Sequence, residues 1–249
     1  MIRLSVNVNK VATLRNSRGG DFPSVLDAVQ VILAAGAGGI TVHPRADQRH
    51  IRPGDVREVA ALLRSSQASG IEYNIEGDPT PEWLELVHEV RPDQATLVPV
   101  RSGELTSEAG WDEATGAQAM KAVVRELKAK GIRVSVFVDA RVSAVEWAVR
   151  IGADRVELYT GPFAAAFAAG AGRGERVFAD HVLAAQRAHA LGLGINAGHD
   201  LDLSNLALYR TLPHLDEVSI GHALMGRALF AGLGTVVAEY LSSLRTPAP

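Results

Sequence analysis

A chain of 249 residues with 47% apolar side chains and a formal net charge of −3 has the makeup of a soluble globular protein, without the cationic excess that a nucleic-acid partner calls for. Cysteine is absent, which excludes disulfides, thiolate nucleophiles and cysteine-held metals or clusters. Every apolar run meets a charge or a glycine before the roughly 18 residues of a membrane helix, and Met1–Val6 lacks a secretory apolar run, so the expected setting is cytoplasmic with no membrane partner.

Two hydrophobic patterns alternate along the chain: short β-branched runs, read as strands buried on both faces, and stretches of period 3.6, read as amphipathic helices. The first strand is expected over Ile2–Val8, followed by a loop carrying Arg15 and Arg18 and a helix over Ser24–Ala35 ending at Gly36. Gly39–His43 reads as the second strand, and its helix starts near Pro53, a residue suited to a first helical turn. The third strand is Ile71–Glu76 with a helix over Thr80–Val90, and the fourth is Ala95–Val98. A long loop, Arg101–Trp111, then leads to a helix over Asp112–Lys130. Ile132–Val138 and Arg155–Tyr159 are the fifth and sixth strands. An Ala-rich stretch interrupted at Gly170–Gly174 and a helix to about Ala190 follow, then strands at Leu193–Ala197 and Glu217–Ile220 and a closing helix over Ala223–Leu244.

Strict strand–helix alternation implies parallel strands joined by right-handed crossovers. An open doubly wound sheet shares that alternation. Eight units in this length, with no GxGxxG after the first strand, favour a closed (β/α)8 TIM barrel with extra helices, one domain over residues 1–249.

Barrel chemistry belongs at the C-terminal ends of the strands. There stand Asn7, Asn9 and Lys10, then His43 and Arg45 with Arg49 and His50 behind them, Glu76, Asp139, Glu157 with Tyr159, Asn196 through Asp200, and Gly221-His222. Of the eight histidines, His43, His50, His199 and His222 fall on this rim, whereas His88, His181, His189 and His214 read as polar residues on solvated faces. Histidine exchanges protons near neutral pH, and a desolvated glutamate is tuned toward the same range. Glu76 and Glu157 each interrupt an apolar strand, as a general base or charge stabiliser would, or as half of an ion pair.

The loops after strands seven and eight, with Gly198 and Gly221, suit a phosphate beside the following helix. Arg45 with His50, and Arg15 with Arg18, could each take another anion, although Arg15 serves equally well in a salt bridge. The usual metal-ligand spacings are missing, but convergence of His43, Glu76 and His199 would leave room for a divalent ion.

The chain resembles the pyridoxine 5′-phosphate synthase family of vitamin B6 biosynthesis through Asn7–Gly19, Gly39–Ile51, Leu97-Val98-Pro99, Glu157–Gly161, Asn196–His199 and Ile220–Ala228, in order and over essentially its whole length. The resemblance implies a (β/α)8 barrel that condenses 3-amino-2-oxopropyl phosphate with 1-deoxy-D-xylulose 5-phosphate into pyridoxine 5′-phosphate, phosphate and water. No metal or organic cofactor is implied; the assembly implied is a homo-octamer. Carried over by position, His43 and Glu76 are proton acceptors, His199 is a proton donor and Glu157 stabilises charge. Asn7, Arg18, Gly221 and His222, with Asp200 beside them, would hold the aminoketone phosphate; Asn9, Lys10, Arg45, His50 and Thr106 would hold the deoxyxylulose phosphate. The family pattern has Asp-His at Asn9-Lys10, Leu at Pro44, Glu-Lys at Val100-Arg101, His at Tyr159 and Gly at Asp200, so the departures lie in the substrate shell. The alternatives are a related barrel acting on another phosphorylated ketose, and a catalytically silent barrel that binds a B6 vitamer.

Overall fold

Side chains on a strand alternate between two faces, and in this chain the two faces differ in chemistry. β1 (Arg3–Asn7) reads Arg-Leu-Ser-Val-Asn, and β2 (Gly39–Val42) and β4 (Gln94–Leu97) repeat the alternation. So do β3 (Glu72–Gly77), β5 (Arg133–Val138), β6 (Arg155–Tyr159), β7 (Gly194–Gly198) and β8 (Glu217–Ile220). In a computed structural model, which describes residues 1–65, 70–101, 107–114 and 116–245, these eight strands form a closed parallel barrel in sequence order, β8 pairing with β1.

The apolar set, including Leu4, Val6, Ile40, Ile75, Val134 and Val218, is buried under the surrounding helices. The alternate set fills the barrel with buried polar groups. Ser5 Oγ lies 2.7 Å from Thr41 Oγ1, and Thr96 donates to Asn74 at 2.9 Å. Below them, Arg133 donates to Gln94 at 3.0 Å and Arg155 to Asn196 at 2.7 Å. The strands are buried on both faces, as their β-branched content suggests, but the inner face is polar: the interior is a hydrogen-bonded plug, and its upper end is the floor of the cavity.

The outer layer comprises α2 (Val25–Ala34), α3 (Pro53–Leu63), α4 (Pro81–Val90), α5 (Ala117–Ala129), α6 (Val142–Ile151), α8 (Ala171–Ala190) and α11 (Leu233–Arg245), with the additional helices α1 (Asn9–Asn16), α7 (Gly161–Ala168), α9 (Leu203–Tyr209) and α10 (His222–Ala231). Side-chain caps fix several starts: Ser24 accepts from Asp27 N, Thr80 from Trp83 N, and Asp202 from Ser204 N and Asn205 N.

Several boundaries differ from the sequence-based expectation. The stretch after β1 is helical, not a loop; Val8 offers it no capping side chain, so the usual start signal is missing. The helix before β5 begins at Ala117, not Asp112, and only Gly170, at φ 140°, breaks the Ala-rich connection, because Gly172 and Gly174 are helical. Gly232, at φ 86°, divides the closing helix in two. His181 is not on a solvated face: it is 1% exposed, its Nδ1 2.8 Å from the Tyr209 hydroxyl, among Phe163 and Phe178.

Candidate active site

The polar ends of the strands enclose a cavity of about 560 Å³. Asn7, Asn9, Lys10, His43, Arg45, His50, Glu76, Glu157, His199, Asp200, Gly221 and His222 all line it. Arg18 is exposed in the turn after α1 and does not line it, and Thr106 lies outside the described residues. Thr13, Val98, Ser107, Phe137 and Ser219 line it as well, and Arg49 joins them. The period of two carries a signal for Val98, Phe137 and Ser219, which follow the inward set up their strands. Thr13 lies one helical turn beyond Lys10, a signal visible only once α1 is known to be a helix.

On one side, backbone and carboxamides lock β1 to β2. Asn9 N donates to Asn7 Oδ1 at 3.0 Å, and His43 N donates to Asn9 Oδ1 at 3.0 Å. Asn7 Nδ2 then reaches Glu76 Oε2 at 3.4 Å, while His43 Nδ1 stands 3.6 Å from the same oxygen, too far for a hydrogen bond. Trp83 Nε1 donates to Glu76 O at 3.0 Å and so anchors the end of β3. Burial, with Arg45 adding to it, pulls the His43 imidazole down to about 3. Burial also pushes the Glu76 carboxyl up to about 7, against the charge of His199. The two groups are thus a neutral imidazole beside a carboxyl that exchanges its proton near neutrality, not an ion pair. Buried His43 Nε2 has no hydrogen-bond partner among the described residues.

Glu157 rises from the third position of β6, inside the wall and not at its end. Burial first, and then the charge of Glu76, push its carboxyl well above the usual range, and Oε2 has no partner among the described residues. Gly198 permits this placement: a Cβ there would collide with Glu157 Oε1. His199 follows directly, its ring edge-on to Tyr159 at 5.1 Å and its Nδ1 2.9 Å from Asp200 Oδ2. The Asp200 carboxylate, held below its usual range chiefly by that hydrogen bond, is therefore turned onto His199; Asp202, not Asp200, caps the following helix.

Two parts of the rim suit anions. At β8, the Gly221 backbone packs so closely that an added Cβ would stand 3.1 Å from Asn7 Cβ, and no side chain caps α10, which starts at His222. Opposite are Lys10, Arg45 and His50. His50 Nδ1 accepts from Ile51 N at 3.0 Å, and burial with nearby His43 and Arg45 pulls its pKa down to about 3, leaving a neutral ring with its proton on Nε2. The third basic cluster does not form. Arg15 is buried and forks onto Asp55, with Nη2 to Oδ2 at 2.8 Å, so it holds α1 to α3. Among the described residues, no three His, Asp or Glu side chains are grouped to hold a metal ion, the His43, Glu76 and His199 set included.

The profile of the family described as "Pyridoxal phosphate biosynthesis protein PdxJ" matches residues 4–246. Proteins named pyridoxine 5′-phosphate synthase from Leptospira biflexa and Bacteroides thetaiotaomicron are each 50% identical over 98% of this chain, covering 97% and 100% of their own lengths. Among solved structures, a 3-keto-L-gulonate-6-phosphate decarboxylase from Vibrio cholerae superposes with a TM-score of 0.66 at 10% identity, covering 98% of this chain and 97% of its own. A phosphoribosylanthranilate isomerase from Thermotoga maritima gives 0.60 at 13%, covering 98% and 99%; at such identities the likeness is one of fold. With the profile spanning nearly every residue, the chain belongs to the pyridoxal phosphate biosynthesis protein PdxJ family.

Proposed function

We propose that the cavity is the active site of a pyridoxine 5′-phosphate synthase, condensing 3-amino-2-oxopropyl phosphate with 1-deoxy-D-xylulose 5-phosphate to give pyridoxine 5′-phosphate, phosphate and water. The observation that carries this reading is the meeting of four ionisable side chains, His43, Glu76, Glu157 and His199, in one cavity that Lys10, Arg45 and His50 line together with Gly221 and His222, residues suited to two anions. Closing a ring from an aminoketone and a ketose needs carbon–nitrogen condensation, successive dehydrations and loss of one phosphate. Each step moves a proton, so several acid–base groups must act in turn. Two phosphorylated substrates account for two rims.

In this reading Glu76 and His43 accept protons, His199 delivers them to leaving oxygens, and Glu157, whose carboxyl burial pushes well above the usual range, stabilises charge developing on the substrate through a hydrogen bond. Asn7, Gly221 and His222, with Asp200 adjacent, hold the aminoketone phosphate; Arg18, in the turn after α1, would reach it only from outside the cavity wall. Asn9, Lys10, Arg45 and His50 hold the ketose phosphate. None of these proton transfers calls for a metal or an organic cofactor.

As an enzyme that builds a new ring from two substrates it is placed among the transferases, working in the cytoplasm as a single-domain homo-octamer. Among the described residues no helix is long and apolar enough to cross a membrane. Incubation of the purified protein with both substrates is expected to yield pyridoxine 5′-phosphate and free phosphate, with neither formed from one substrate alone. Absence of both products with both substrates present would sink the proposal.

A further inference from the structure

We propose that Asp200 is a positioning residue for the acid–base histidine, its carboxylate fixing His199 with the proton on Nδ1 so that Nε2 is the nitrogen presented to the substrates. The role in catalysis rests on the synthase reading; the tautomer does not.

The contact is His199 Nδ1 to Asp200 Oδ2 at 2.9 Å. An ionised carboxylate can only accept, so a hydrogen bond at that distance requires the hydrogen to sit on Nδ1. Asp200 is held ionised first by this bond and further by the charges of His222 and Lys10. A neutral His199 then has its lone pair on Nε2, and a protonated one releases its proton from Nε2, the edge away from Asp200.

The surrounding turn is built to keep the pair together. His199 and Asp200 have φ of 87° and 58°, two consecutive non-glycine residues in the left-handed region, which persist only where their surroundings hold them. Thr160 Oγ1 donates to Gly198 O at 2.7 Å and also to His199 O. Asn205 Nδ2 donates to Asp200 O at 3.0 Å, and Asn205 Oδ1 is in turn held by Asp202 N at 2.9 Å. The ring is seated edge-on against Tyr159, with planes at 82°. The His199 side chain is 18% exposed and that of Asp200 52%, so the carboxylate stays solvated while the imidazole it orients lies inside the cavity wall. A carboxylate placed only to touch substrate would have no need of this bracing.

The full-length protein labelled with 15N-histidine tests the assignment, the His199 signals being identified by their loss in His199→Asn. Ring-nitrogen shifts of neutral His199 are expected to show the Nδ1-protonated tautomer. Asp200→Asn keeps the size and tolerates the left-handed turn, but its carboxamide can donate to Nδ1, so the tautomer should move toward Nε2–H. With both substrates, kcat should fall about 10- to 100-fold with KM nearly unchanged. Asp200→Gly, which relieves the turn yet lacks the carboxylate, should lose kcat to the same degree, and Asp200→Glu should restore part of it. An Nε2-protonated ring in the unaltered protein overturns the proposal, as does a variant that raises KM alone. Should the tautomer be as expected while the unaltered protein makes no product, the His199–Asp200 assignment stands and the synthase reading fails.

Discussion

Burial lifts the Glu76 carboxyl to about 7, while the charge of His199 works against the shift, so its proton exchanges near neutrality. A proton acceptor works only when ionised, and kcat/KM is therefore expected to climb as pH rises through about 7, the limb reporting the free enzyme. Glu76→Gln keeps the shape and the contact to Asn7 but cannot accept a proton, and should lose about 10²- to 10⁴-fold in kcat. A pH–rate profile of the unaltered enzyme and a single-pH assay of the variant check both. Arg15 is equally buried and points to a different outcome. Its fork on Asp55 means that Arg15→Ala strands a buried carboxylate, which also accepts from Arg52 N at 2.7 Å at the start of α3. Unfolding in urea should show a loss of about 3–5 kcal/mol. Arg18→Ala, on an exposed side chain, should stay within about 0.5 kcal/mol.

Between elements, Thr160 ties the end of β6 to the end of β7. Its buried hydroxyl serves the carbonyls of Gly198 and His199, and Val has the same shape without the donor. Thr160→Val should cost about 1–3 kcal/mol in a denaturant titration and lower kcat, because the turn carrying His199 loses one of its braces. Such cross-links are invisible to a reading of elements one at a time, and the same limit explains which parts of the sequence were legible. The eight strands and the rim residues at their ends could be read because β-branched runs and histidines stand out locally. The polar half of each strand was in view too, as in Arg-Leu-Ser-Val-Asn, but β-branched enrichment outweighed it and hid the polar interior. The helix after β1 goes unread because Val8 supplies no cap, and Arg15 reads equally as an anion ligand or as half of a salt bridge because its partner Asp55 lies forty residues on. His181 looked solvated on a helix with polar neighbours; only the packing of α7 and α9 against it buries the ring.

For the molecule as a whole, a barrel filled with polar groups links stability to pH. At the lower end Glu217 is buried, near Glu72, with Arg3 Nη1 at 3.4 Å and Asn196 Nδ2 at 3.3 Å. Burial, then the charge and hydrogen bonding of Glu72, raise its carboxyl from 4.5 to about 8, while Arg3 and Arg155 oppose the shift. A raised folded pKa means that between about pH 4.5 and 8 the fold keeps a proton that the unfolded chain has released. Stability from this group is full below that window, falls as pH climbs through it and levels off above. Glu76 adds the same slope between 4.5 and about 7. Glu217→Gln mimics the protonated form: its carboxamide still accepts from Asn196 and can donate to Glu72, but it does not titrate. Melting temperatures followed from about pH 5 to 8.5 should therefore decline less in the variant. A difference of at least ~1 kcal/mol at the alkaline end corresponds to about 2–4 °C for a chain of this length. If both proteins decline in parallel, Glu217 is ionised in the fold and held by Arg3 and Arg155, and the lower plug is a salt-bridge cluster instead of a proton-sharing one.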